Sequence, residues 1–230
     1  MRLRRAGRLP RKASADPELT RQPQVERLAA ARLYVITPDA PPENLLELAA
    51  AALRGGADVL QLRHKTLPRG ELLALARKLR ATAAGALFVV NDHVDIALLS
   101  GADGVHLGPD DLSIAAARRV AGDRLIIGAS ASTPDAARTA VDEGADYLGT
   151  GPAFATPIKT SKTVIGPQGV AAVAEAVGRE VPVFAIGGID ESNLAQLTAL
   201  GVRRACVIRA VAEARDPEQA ARRLRAMLTG

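Results

Sequence analysis

The stretch Gln61-Leu62-Arg63-His64-Lys65 sets two cations two residues apart. On an extended strand alternate residues share a face, so Gln61, Arg63 and Lys65 point one way and Leu62 and His64 the other. A guanidinium fork and an ammonium on one face suit an anion, a diphosphate above all, because burying both without a counter-ion is costly. A water-bathed polar strand end is the plainer alternative. Two acids stand at comparable places. Asp92 comes directly after the apolar run 87–90, and Asp111 just past the run 105–107. Beside a cationic diphosphate site, carboxylates make most sense holding Mg2+, which takes one or two of them, keeps waters and bridges to phosphate. Taken singly, Asp92 reads as a helix cap and Asp111 as a loop acid; it is together, on adjacent strand ends, that they favour a metal. Asp110 could stand in for Asp111.

Other segments carry weaker signals. The Gly/Pro/Thr-rich stretch 149–162 includes Lys159 and Lys162 and could fold over a ligand or simply be a surface loop. Gly187 and Gly188 in AIGGID, read as opening a helix, would expose N–H groups that bind phosphate. Ile208 and Arg209 could add amides and a guanidinium nearby. His64, His93 and His106 show no zinc spacing. His106 alternates with Gly104 and Gly108, so it reads as an inward, hydrogen-bonded core histidine rather than a base. Cys206 stands alone and reads as a small core residue.

These residues need elements to hold them. From residue 33 a short apolar run repeatedly gives way to a polar or Gly cluster and then to an Ala/Leu-rich helical stretch. The runs are 33–37, 59–63, 87–91, 104–108, 125–130, 147–151, 183–188 and 205–210. Helical stretches include 44–54, 69–84, 114–120, 133–143, 169–177 and 192–200. Most strand starts leave room for a helix between parallel strands. Eight such units in a chain of 230 residues predict an α/β fold, a (β/α)8 barrel; an open doubly wound sheet usually has fewer strands. In a barrel, chemistry gathers at the C-terminal rim. Asp92 and Asp111 both fall there, after adjacent strands about 4.8 Å apart. The repeated GGAD, SGAD and EGAD at 55–58, 100–103 and 143–146 read as helix stops, with no catalytic role.

Composition narrows the class. Hydrophobic residues make up 48% and aromatics 2%, so the core is expected to be Ala, Val, Leu and Ile. The net charge is +5, yet its location argues against nucleic acid. Residues 1–24 hold seven of the thirty basic and two of the twenty-five acidic residues, which leaves 23 of each elsewhere. Residues 1–27 are therefore read as a disordered basic tail and 28–230 as the barrel. RNA binding through the tail is the competing reading. A lone cysteine suits a reducing cytoplasm, and no apolar run reaches the roughly 18 residues of a membrane span. The sequence leaves a homo-oligomer open. The bottom-up expectation is an enzyme that joins or cleaves phosphorylated molecules, with a Mg2+-diphosphate near strands two to four and a monophosphate near strands seven and eight.

The strings QLRHK, ND at 91–92, GADGVHLGPDD, IGAS at 127–130, GADYLGTGPAFATPIK and PVFAIGGI together resemble the thiamine-phosphate synthase family, over about four-fifths of the chain. The resemblance implies Mg2+-dependent joining of a hydroxymethylpyrimidine diphosphate to a thiazole phosphate or its carboxylate, the latter with loss of CO2. Thiamine monophosphate and pyrophosphate would be the products. It implies a pyrimidine-diphosphate site at Gln61, Leu62, Arg63, His64, Lys65, Asn91 and Ser130, and magnesium ligands at Asp92 and Asp111. It places the thiazole phosphate at Thr156, Pro157, Ile158, Lys159, Gly188, Ile208 and Arg209, and gives catalytic roles to Arg63, Lys65, Ser130 and Lys159. Three positions depart from the family pattern. Ser132 stands where a histidine is common, Ile158 where a threonine is common, and Arg209 where a serine is common. A histidine in the first region marks the related thiazole tautomerase, the main rival; a non-catalytic paralogue that binds thiamine precursors is another.

Overall fold

The computed structural model describes residues 21–156 and 163–230. Eight strands form one closed parallel barrel in sequence order: β1 (Leu33–Ile36), β2 (Val59–Leu62), β3 (Leu87–Asn91), β4 (Gly104–Leu107), β5 (Ile126–Ser130), β6 (Tyr147–Thr150), β7 (Val183–Ile186) and β8 (Ala205–Val207). The ring closes where Tyr34 of β1 pairs with Cys206 of β8. Every expected apolar run contains its strand. Around them lie α2 (Pro42–Arg54), α3 (Arg69–Thr82), α4 (Val94–Ser100), α5 (Ile114–Ala121), α6 (Pro134–Asp142), α7 (Gly166–Val177), α8 (Leu194–Thr198), α9 (Arg209–Ala212) and α10 (Pro217–Thr229). Ser113, Thr133 and Asp216 cap α5, α6 and α10 by accepting the N–H of the third residue on.

One further helix, α1 (Gln22–Ala30), corrects the expected tail of residues 1–27. Pro23 sits in its first turn, where a missing N–H costs nothing. Leu28, fully buried, and Val25, partly buried, pack on the interior side chains at the strand starts. Arg21 pairs with Asp123 and Asp146. The basic stretch 1–20 lies outside the described residues.

The three GAD segments prove to be one structural device used three times. Gly56, Gly101 and Gly144 take positive φ at or just after a helix end, where a Cβ would be strained. The Asp two residues on then accepts a backbone N–H from the start of the preceding strand. Asp58 takes that of Leu33, Asp103 that of Phe88 and Asp146 that of Ile127, at 2.8–2.9 Å. Arg225, Arg80 and Arg118 answer these carboxylates. All of this sits at the barrel's N-terminal end, away from the rim.

The outer core between sheet and helices is aliphatic as expected except for Phe88, whereas three aromatics join the aliphatic side chains of the barrel interior. Tyr34, Tyr147 and Phe184 meet there, with Phe184 edge-on to both tyrosines at centroid distances of 5.4 and 5.9 Å. Glycines on neighbouring strands make the room. A Cβ on Gly128 would lie 2.0 Å from the Tyr147 ring, and one on Gly149 would lie 3.2 Å from the His106 ring. Tyr147 is hydrogen-bonded to Tyr34 and cannot retreat. Gly128→Ala is therefore expected to cost about 3 kcal/mol through overpacking, read as a lower urea midpoint at unchanged slope. Gly85→Ala, with open space around the new methyl, should leave the midpoint nearly unmoved.

Candidate active site

Strand alternation delivers the cations as the sequence implied. Gln61, Arg63 and Lys65 line a cavity of about 330 Å3 at the C-terminal rim. Gln61 donates to the Tyr34 hydroxyl at 2.7 Å, which fixes it as part of the floor. Beyond it the Arg63 main chain is clamped at both ends, its N–H donating to Thr37 Oγ1 and its carbonyl accepting from it, each at 3.0 Å. Arg63 is largely buried, and Lys65 reaches further into solvent.

The acids meet the cations at this rim. β3 ends at Asn91, which lines the cavity, and Asp92 then turns the chain with φ of 64°. Asp92 is the one non-glycine residue with positive φ among the described residues, and Asp tolerates that conformation better than most. Its Oδ2 accepts from Lys65 Nζ at 2.6 Å. From the loop after β4, Asp111 accepts the Gly108 N–H at 2.7 Å and lines the cavity beside Asp92. Asp110 lines the same cavity, but Asp111 is the acid that faces Asp92.

Two carboxylates in contact must share a proton or a cation. Burial works against ionisation of Asp92, yet the Lys65 ammonium outweighs it and holds the carboxyl below the usual range. Asp111 moves the other way: burial, and after it the facing Asp92, pushes it up. Such a pair beside one ammonium is the donor set that suits a hard divalent cation holding few protein ligands. No group of three or more His, Cys, Asp or Glu able to hold a metal occurs among the described residues. Asp92 and Asp111 are the residues that could hold such a cation.

Below the acids runs a hydrogen-bonded floor. Tyr34 and Tyr147 hydroxyls lie 2.9 Å apart, Tyr147 bonds His106 Nδ1 at 3.2 Å, and His106 Nε2 bonds Ser130 Oγ at 3.1 Å. Burial raises both tyrosines, so they stay neutral donors and acceptors. His106 is the hydrogen-bonded inward histidine that its alternation with glycine implied. It also orients Ser130, which lines the cavity at the end of β5.

A second cavity of about 320 Å3 opens at β7 and β8, lined by Thr156, Gly188, Ile208 and Arg209 among others. Ile186, Cys206 and Ile208 line both cavities, so they adjoin. Gly187 and Gly188 do not open a helix as expected, because α8 begins only at Leu194. They instead let the loop after β6 approach: a Cβ on Gly188 would sit 2.5 Å from the Ala155 carbonyl oxygen. Arg209 already belongs to α9 rather than to the strand, and its Nε donates to Glu213 at 2.9 Å.

The family model described as thiamine monophosphate synthase matches residues 33–211, from β1 through α9. The chain belongs to the thiamine monophosphate synthase family. It is 49% identical over 193 residues to a thiamine-phosphate synthase of Gloeobacter violaceus, covering 83% of this chain and 55% of that one. It is 46% identical over 196 residues to one of Anaeromyxobacter dehalogenans, covering 84% and 86%. The chain thus spans about half the length of the Gloeobacter relative and most of the Anaeromyxobacter one. Among solved structures it superposes on a thiamine phosphate pyrophosphorylase from Pyrococcus furiosus with a TM-score of 0.79 at 40% identity, covering 88% of this chain and 97% of that one.

In this member of the thiamine monophosphate synthase family two residues of the expected diphosphate site turn away. Leu62 is buried on the helix side of the sheet, and His64 bonds the Ala40 carbonyl at 3.1 Å and accepts the Leu67 N–H at 3.2 Å. The strand period puts both side chains there. Pro157, Ile158 and Lys159 lie outside the described residues. Sequence reasoning missed Thr37 and Asp39 after β1, although both bind the segment carrying Arg63 and Lys65. Thr37 ends an apolar run, a usable signal; Asp39 sits in a Pro-rich loop with none.

Proposed function

We propose that the chain joins a hydroxymethylpyrimidine diphosphate to a thiazole phosphate, giving thiamine monophosphate and pyrophosphate, with Mg2+ at Asp92 and Asp111. One observation carries this: Arg63, Lys65, Asp92 and Asp111 line a single cavity, and a second cavity adjoins it. The names of the relatives support the same activity. When bound, Mg2+ supplies positive charge to the departing diphosphate. The chain's part is positioning and charge stabilisation. Arg63 offers a planar fork of donors and Lys65 a point charge to the oxygens on which charge develops as the C–O bond breaks. Ser130, held by His106, orients the pyrimidine beside them. The thiazole nitrogen then attacks the methylene carbon, so no general base is required, which fits a site whose histidine serves as a structural acceptor and donor. The adjoining cavity would hold the thiazole phosphate within reach.

The test is one assay of the full chain with both substrates and Mg2+. Formation of thiamine monophosphate is expected. Thiazole isomerisation without coupling would assign the tautomerase reaction instead, and tight substrate binding with no product would assign a binding paralogue. Removing residues 1–20 is expected to leave turnover intact; loss of function would favour the RNA-binding reading. The cut belongs before Arg21, because α1 covers the barrel's lower end.

Arg209 would supply a guanidinium to the thiazole phosphate, offsetting the threonine hydroxyl that this sequence lacks. It stands at the lip of the second cavity and is half exposed. Arg209→Ala is expected to raise the KM for thiazole phosphate about tenfold with kcat little changed, the scale of one charge-assisted hydrogen bond.

A further inference from the structure

The structure assigns Asp39 as the positioning residue for both cations of the diphosphate cavity, an inference that rests on the diphosphate reading above. Asp39 lies in the loop after β1 and is not part of the cavity wall. Its Oδ2 accepts from Arg63 Nη1 at 2.7 Å, and its Oδ1 accepts from the Lys65 backbone N–H at 2.6 Å. One carboxylate therefore fixes the guanidinium of one cation and the main chain of the other. Burial opposes its ionisation, but the Lys65 N–H and the Arg63 guanidinium outweigh it and hold the carboxyl below the usual range. Around this contact the two loops are closed together: Thr37 clamps the Arg63 main chain and His64 bonds the Ala40 carbonyl.

An unrestrained arginine has rotamer entropy to lose on binding an anion. Here part of that loss is already taken. Asp39 occupies one of five guanidinium donors and leaves the others for a ligand. Without it, Arg63 would be free to swing to solvent or toward Asp92, and the Lys65 N–H would lose its acceptor. A simple Coulomb account predicts the opposite sign. Asp39 is an anion near an anion site, so neutralising it would tighten binding. Positioning and field can thus be told apart by direction alone.

The experiment titrates inorganic pyrophosphate with excess Mg2+ into the full chain by calorimetry, alongside melting curves. Asp39→Asn, which keeps a carbonyl acceptor but loses the charge, is expected to weaken pyrophosphate about tenfold, in the range seen when residues supporting a binding group are removed. On an Arg63→Ala background the same change should cost less than about threefold, since the pair is coupled. Asp39→Glu should recover part of the affinity, and carries the cycle should Asp39→Asn not fold. Unchanged or tighter binding by Asp39→Asn, or the same loss on the Arg63→Ala background, would overturn the role of Asp39. Wild-type chain that fails to bind magnesium pyrophosphate would instead overturn the diphosphate reading itself.

Discussion

Asp92→Ala is expected to lower kcat/KM for coupling by about 10^3-fold or more while the chain stays folded. The carboxylate is the partner of both Lys65 and Asp111, so its loss leaves one acid and an unmoored ammonium where two acids and a cation were arranged. Several kcal/mol of charge stabilisation on the leaving group disappear with it, and each 1.36 kcal/mol is a factor of ten. Asp92→Asn separates charge from backbone. Asn accepts a φ of 64° readily, whereas Ala there costs about 1–2 kcal/mol. Both variants should therefore be equally inactive in a product assay, but the melting temperature should fall for Ala and hold for Asn. Activity retained by Asp92→Asn would mean that the charge is not what the site uses.

Arg63→Lys should prove nearly as damaging, lowering kcat/KM about 10^2-fold. The charge is kept and the shape is lost. The guanidinium can hold Asp39 with one N–H and face the cavity with others, whereas an ammonium on a flexible stem has no fixed fork. The effect should appear mainly in kcat, because the interaction strengthens as the diphosphate departs. Steady-state kinetics with each substrate varied in turn separate this from a loss confined to KM.

The fold was legible because a barrel repeats one simple pattern. Each apolar run and each helix stop could be recognised locally, and period two alone turned Gln61, Arg63 and Lys65 inward. The same period turned the side chains of Leu62 and His64 outward. What stayed hidden depends on contacts between segments far apart in sequence. Asp39 and Arg63 are 24 residues apart, and nothing in the loop Pro38-Asp39-Ala40-Pro41 names its partner. Gly128 and Gly149 look like ordinary strand glycines until the register sets them against Tyr147 and His106. The aromatic interior was obscured by a total of 2% aromatics, since composition does not say that three of them converge. α1 was masked by the basic residues before it, and α10 was announced only by Asp216-Pro217, a cap followed by a first-turn proline.

The central claim is that one magnesium-bound diphosphate is gripped jointly by β2, β3 and the loop after β4. A crystal structure of the full chain grown with Mg2+ and pyrophosphate tests it most directly. The account predicts a cation on Asp92 and Asp111, with the pyrophosphate oxygens on Arg63 and Lys65. Pyrophosphate seated only at the β7–β8 opening, with those four side chains still paired as they are now, would contradict it.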